Sequence, residues 1–123
     1  MTPQAVCVLI RNENAKILAV SRRGRPRDMN LPGGKVDGDE TLEAACIREV
    51  YEETGYVIDS LSPIFTDICQ GEKTFEVTTF RAKLVSRPGV PEPDLRVDWI
   101  DEDVLLQPEN AFVTYNRKLL SAP

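Results

Sequence analysis

Apolar positions along this chain fall mostly in short, strand-length runs, with one stretch near the middle that follows a helical rhythm. Ala5 to Ile10 is apolar, as is Lys16 to Val20, and the turn-like Asn12-Glu13-Asn14 lies between them, which predicts a pair of strands. Arg22 to Asn30 is polar and basic and reads as a loop. Leu31-Pro32-Gly33-Gly34 suits a type II turn, with proline fixing the second position and glycine supplying positive φ at the third. Thr41 is a candidate N-cap for a helix from Leu42 to Thr54, ended by Gly55. Ala44, Ile47, Val50 and Tyr51 lie on its other faces and predict two buried flanks.

Past Gly55 the rhythm returns to strands. Val57 to Ile58 and Ile64 to Cys69 are candidates, followed by a turn at Gln70-Gly71. Thr74 to Val85 alternates, Phe75, Val77, Thr79 and Arg81 against Glu76, Thr78, Phe80 and Ala82, as a half-buried strand does. The proline-rich Ser86 to Pro93 is a loop, Leu95 to Ile100 another strand, and Glu109 to Leu120 a closing helix after Pro108. Strands interleaved with two helices predict an α/β/α sandwich around a mixed β-sheet. At 123 residues the chain has the size of one domain, spanning 1–123, and can bury a core without staples.

The helix carries the chemistry. Glu49, Glu52 and Glu53 are three and four residues apart, so one face presents all three carboxylates. A solvated acidic face is one reading of such a stripe. Three costs speak against it. Like charges at Glu49 and Glu53 oppose the helix by roughly 0.2–0.5 kcal/mol. Acids in the last turn oppose the helix dipole by about 0.3–1 kcal/mol each. Arg48 precedes Glu52 by four, the weaker order for a pair, and one arginine does not neutralise three acids. A divalent cation does, and oxygen-only ligands suit Mg²⁺ or Mn²⁺.

Composition narrows the alternatives. Hydrophobic residues make up 41% and charged residues 28%, as in a soluble globular protein. A net charge of −5 speaks against tracking a nucleic-acid polymer, which needs a basic surface. Cys7, Cys46 and Cys69 are odd in number and lack C-x-x-C spacing, so neither a disulfide framework nor a zinc site follows. The start, Met1-Thr2-Pro3-Gln4, has no signal-peptide character and no segment is built to span a membrane; the expectation is a cytoplasmic protein. With no histidine in the chain, carboxylates must do any acid–base work.

The spacing resembles the Nudix box, G-x5-E-x7-R-E-U-x-E-E-x-G-U, with U a bulky aliphatic residue. Gly34, Glu40, Arg48, Glu49, Val50, Glu52, Glu53 and Gly55 stand on its positions, while Tyr56 replaces the last aliphatic one, a packing site. The resemblance implies hydrolysis of a nucleoside diphosphate linked to another group, with water attacking phosphorus while divalent ions neutralise the pyrophosphate. It also implies that Glu49, Glu52 and Glu53 hold the metal, that the Gly34 carbonyl adds a ligand, and that Arg48 orients the glutamates. Glu40 has two readings, support of that site or a favourable acid near the helix N-terminus. For the base that activates water, Glu52 or Glu53 leads. Family members also use an acid on the loop before the last strand, where Glu92 and Asp94 lie, with Asp94 the outside candidate.

Substrate signals lie outside the box. Arg22, Arg23, Arg25 and Arg27 crowd one segment, and guanidinium groups suit phosphate oxygens; a merely soluble loop is the other reading. Pro108-Glu109-Asn110 is similar to the MutT-type branch, in which an asparagine there hydrogen-bonds guanine, although an N-cap role explains Asn110 equally well. Phe80, Phe112 and Tyr115 are stacking candidates or core. Where the ADP-ribose branch has a proline this chain has Gly71, and Met29 stands where tryptophan is common. By elimination the resemblance implies nucleoside or deoxynucleoside triphosphates, giving NMP and pyrophosphate. Nucleotide sugars or similar NDP-X compounds are the alternative substrates, and a non-catalytic nucleotide sensor is the alternative class.

Overall fold

A computed structural model describes residues 2–70 and 73–122, so Gly71 and Glu72, with the turn expected there, lie outside the described residues. In chain order the described elements are β1 (Gln4–Leu9), β2 (Ile17–Arg22), β3 (Arg25–Asn30), β4 (Gly33–Lys35), α1 (Leu42–Thr54), β5 (Val57–Gln70), β6 (Thr74–Ser86), β7 (Val97–Ile100), α2 (Glu102–Leu105) and α3 (Val113–Leu120). A four-stranded sheet has the order β4-β1-β6-β5, and a three-stranded sheet the order β3-β2-β7. The first is mixed, because β1 runs parallel to β6 while its other pairings are antiparallel.

Alternation along β1 builds the layers. Val6, Val8 and Ile10 point to one core with Ala45, Cys46 and Val50 of α1. Leu9 points to the other, with Tyr115 and Leu119 of α3 and Leu105 of α2. Opposite faces of one strand therefore serve helices on opposite sides, the α/β/α layering that the pattern predicted.

Several elements differ from expectation. β1 and β2 are not a ladder: they meet at an Arg11–Ile17 bridge and an Ile10 carbonyl accepting from Leu18, then diverge into separate sheets. The basic stretch is a strand, β3, whose Arg25, Pro26 and Arg27 are exposed on an edge and carry no apolar signal. The two candidates after Gly55 form one strand, β5, bent by register shifts around Ser60, which has φ 55°. The final helix starts late, at Val113, because Asn110 Oδ1 accepts from the Phe112 N–H at 2.8 Å and holds a turn there. α1 buries one flank, not two: Ala44, Ile47 and Tyr51 are exposed, while Ala45, Cys46, Val50 and Thr54 are buried.

The ends of α1 follow the local chemistry. Thr41 caps it, accepting from the Ala44 N–H at 3.0 Å. Gly55 ends it at φ 79°, donating to the Tyr51 carbonyl at 2.9 Å.

Candidate metal and nucleotide site

Gly33 and Gly34 do not form the expected type II turn. Gly33 is absent from the positive-φ glycines, and both residues run as β4 beside β1, paired with Cys7 and Val6. Their purpose is close approach. A Cβ on Gly33 would lie 2.0 Å from the Val6 carbonyl oxygen, and one on Gly34 would lie 2.6 Å from the Glu49 carboxyl carbon. Without side chains, this strand fits between β1 and the acidic face of α1.

Arg48 organises one end of that face. Its guanidinium forks onto Glu40, Nε to Oε2 at 2.7 Å and Nη2 to Oε1 at 2.8 Å. It also donates to Glu49 Oε1 at 2.9 Å, to Glu52 Oε1 at 3.4 Å and to the Lys35 carbonyl at 3.0 Å. Asp37, which the sequence reading missed, adds an ion pair at 3.3 Å. Bidentate, charge-assisted bonds of this kind favour the ionised acid. Arg48 and the Asp37 N–H accordingly pull Glu40 from 4.5 down to about 2. For Glu40, the Arg48 contact and the backbone bond near the helix start thus coexist.

Glu53 has the opposite surroundings. Burial pushes its pKa from 4.5 up to about 8; the Gly33 N–H, donating to Oε1 at 2.9 Å, opposes the rise, while the charges of Glu49, Glu92 and Glu52 add to it. Glu49 is also raised, by burial first, with Arg48 acting against the shift. Glu52 is exposed. Gly34, Glu49, Glu52 and Glu53 thus offer only oxygen donors, two of them on half-buried carboxylates whose charge is disfavoured, a donor set that fits a hard divalent cation. Among the described residues no three acidic side chains already converge on one point as ligands. Arg48 donates to Glu49 and Glu52, and the Gly33 N–H donates to Glu53.

The loop between β6 and β7 lies over the end of α1. The Gly89 N–H donates to the Gly55 carbonyl at 3.2 Å and the Glu92 N–H to the Glu53 carbonyl at 3.3 Å. Arg23 reaches this loop, with Nη1 on Asp94 at 2.6 Å and Nη2 on Glu92 at 2.7 Å.

The other expected substrate residues gather around β3 and α3. Arg22 pairs with Asp28 at 3.5 Å and sits 6.0 Å from the centre of the Phe112 ring. Arg25 and Arg27 line a cavity of about 430 Å³ with Glu109 and Asn110. Asn110 is buried, and its amide is engaged: Nδ2 donates to the Met29 carbonyl at 2.9 Å, and Oδ1 accepts from Phe112 and, at 3.4 Å, from Asn116. It is not the N-cap of α3, which is Phe112. Asn116 Nδ2 also donates to Asn30 Oδ1 at 2.9 Å and to the Leu105 carbonyl at 3.0 Å. The sequence reading missed Asn30 and Asn116; an asparagine between Tyr115 and Leu119 on an apolar helix face was the available signal. Phe80 and Tyr115 are core, the tyrosine hydroxyl held by Thr79 at 2.8 Å and by the Val77 carbonyl at 3.1 Å. Phe112 is exposed and also lines a second cavity, of about 460 Å³, between β5 and α3.

The model of the NUDIX domain family matches residues 1–121, and the chain belongs to that family. The oxidized purine nucleoside triphosphate hydrolase of Danio rerio is 33% identical over 101 residues, 78% of this chain and 64% of that protein. An ADP-ribose pyrophosphatase of Bacillus subtilis (strain 168) is 35% identical over 65 residues, 50% of this chain and 35% of that protein. The chain therefore spans less than two thirds of the length of either relative. The crystal structure of a MutT NUDIX hydrolase from Burkholderia pseudomallei superposes with a TM-score of 0.79, covering 98% of this chain and 99% of that one at 24% identity, which establishes the shared fold. Among the described residues no helix is long and apolar enough to cross a membrane.

Proposed function

We propose that this chain is a divalent-metal-dependent pyrophosphohydrolase that cleaves nucleoside or deoxynucleoside triphosphates, oxidised purines included, to NMP and pyrophosphate. The observation that carries the reading is geometric: the side-chain-free Gly33–Gly34 strand lies against the acidic face of α1, its backbone beside the Glu49 carboxylate and its Gly33 N–H on Glu53, so that only oxygen donors gather there. Burial disfavours the charged forms of Glu49 and Glu53, which a positive ligand would offset.

Glu49, Glu52, Glu53 and the Gly34 carbonyl are the residues that would hold Mg²⁺, with Mn²⁺ a workable substitute. When bound, the metal neutralises charge on the pyrophosphate oxygens. Glu53 is the first choice for accepting the proton of the attacking water, a role that a positioned carboxylate among the metal-holding residues can fill. Glu52 is its alternate. Arg48 keeps Glu49 and Glu52 on one side of the helix. Asp94 is the loop acid nearest in role, although its carboxylate is taken up by Arg23. Arg27 lines the cavity that would take the base, with Asn110 in its wall, and would receive phosphate oxygens together with Arg22, which stands outside that lining on Asp28. Triphosphates are favoured over other substrates because the Danio rerio relative, named for them, matches the larger share of this chain.

Hydrolysis of NDP-X compounds such as ADP-ribose is the second reading, supported by the Bacillus subtilis relative. Incubation with Mg²⁺ or Mn²⁺ and a panel of dNTPs, oxidised dGTP, ADP-ribose, nucleotide sugars and diadenosine polyphosphates, followed by product identification, decides between them. The expected products are a nucleoside monophosphate and pyrophosphate. Fastest turnover of ADP-ribose or a nucleotide sugar would select the second reading, and tight binding without turnover a sensor.

A further inference from the structure

The segment from Arg87 to Arg96 runs as a strap across the end of α1. At its start, Arg87 Nε donates to the Thr54 carbonyl at 3.4 Å and the Gly89 N–H to the Gly55 carbonyl at 3.2 Å. At its far end, the Arg96 N–H donates to Ser21 Oγ at 2.9 Å, and the Ser21 N–H to the Arg96 carbonyl at 2.8 Å. The middle is held differently. Val90 is 82% exposed and gives no apolar anchor, and the Glu92 N–H reaches the Glu53 carbonyl only at 3.3 Å. Glu92 and Asp94 bring two further negative charges toward an acidic helix end.

Arg23 answers that repulsion. It stands on the β2–β3 turn, beside Gly24 at φ 75°, and its two Nη atoms divide between Asp94 at 2.6 Å and Glu92 at 2.7 Å. Single exposed ion pairs contribute little, but one planar fork spanning two acids on the same strap is a network with fixed geometry. The fork commits one N–H of each Nη atom to a strap acid, so the charge that a phosphate group would meet is already answered by two carboxylates.

We propose that Arg23 is a positioning residue: it acts on the site by pinning the Glu92–Asp94 section of the strap against the end of α1, and not by binding substrate phosphate. The kinetic part of this inference rests on the hydrolase reading above; the structural part does not. Lysine keeps the charge but replaces the rigid planar fork with a single compact ammonium, so it separates the two roles.

The test compares wild type, Arg23→Ala, Arg23→Lys, Glu92→Gln/Asp94→Asn, and that pair combined with Arg23→Ala. Amide hydrogen exchange is followed on the metal-free full chain. Arg23→Ala and Arg23→Lys are expected to speed exchange at the Glu92 amide by about tenfold, without changing exchange in α1. With the best substrate of the panel, both lower kcat while KM moves by less than about twofold. Arg23→Ala adds nothing once both strap acids are neutral, the signature of action through them. Unchanged exchange in both variants overturns the proposal whether or not any substrate is turned over. So does a raised KM at constant kcat that lysine restores, which marks a phosphate ligand. If wild type turns over nothing, the hydrolase reading fails and exchange alone decides the role of Arg23.

Discussion

Glu40 and Glu53 lie at opposite ends of α1, both accept a backbone N–H, and yet their carboxyls behave in opposite ways. Glu40 takes the Asp37 N–H and the Arg48 fork, and ionises at about 2. Glu53 takes the Gly33 N–H inside a crowd of other acids, and ionises at about 8. At Glu53 a single neutral donor does not offset burial; at Glu40 a two-pronged guanidinium outweighs a smaller desolvation cost, whereas at Glu49 a single guanidinium contact does not. Glu40, before the helix, therefore has its counter-charge in Arg48, while Glu53, at the far end, is met by a backbone N–H and other acids.

The sharpest way to break the contrast is Glu53→Gln. Turnover should fall by about 10²–10⁴-fold, the usual contribution of a general acid–base group, while the circular dichroism spectrum stays native. Near-normal turnover would remove Glu53 from the chemistry. Next comes pH. Folded Glu53 stays protonated to about 8, against 4.5 for the ordinary side chain, so between those values the folded state binds more protons and stability falls as pH rises. Melting of metal-free wild type should show this decline and Glu53→Gln should lack it. A saturating divalent cation should raise the wild-type Tm above pH 8 and leave the variant less affected.

Smallest is Glu40→Gln. Its pKa is depressed, so its contribution is present above 4.5 and lost as pH falls toward about 2. The variant should melt slightly below wild type at neutral pH, with the two curves converging toward pH 2. Persistence of the gap at low pH would mean that the Arg48 fork is not its source. On the substrate side, Asn110→Ala should cost about 1–3 kcal/mol, because it strips partners from the Met29 carbonyl and the Phe112 N–H. An altered base profile in the surviving activity would add a recognition role; an unaltered one would leave only the structural role.

What the sequence revealed divides by the same logic. α1, its Thr41 cap and its Gly55 end were legible because caps and i,i+4 spacing are local. β4 was misread as a turn because two glycines announce only permissiveness; what they are permissive for, the approach of β1 and Glu49, is tertiary. β3 was misread as a loop because an edge strand can expose Arg25, Pro26 and Arg27 without losing its ladder to β2. The acids of the box were found by spacing, but spacing could not say that Arg48 serves Glu40 first, nor that Arg23 belongs to Glu92 and Asp94. Partner choice among surface charges is a matter of three-dimensional reach. Asn110 was singled out for its resemblance to a base-binding asparagine, with an N-cap as the alternative; its side chain shapes the turn before α3 and does not cap the helix, which leaves base binding as the role to test.

The parallel pairing of β1 with β6 has a consequence for assembly during synthesis. Cys7 and Thr79, neighbours across that ladder, are 72 residues apart in sequence. A growing chain releases the acid helix well before it releases β6, and at ribosomal rates of about 5–20 residues per second that lag is seconds long. During it the helix can wind on its own caps, but the strand beside its glycine partner still lacks its parallel neighbour. Long-range closure of this kind is the slow step in folding small domains. The part of the site that is easiest to read is thus made first, and it waits for the part that cannot be read locally at all.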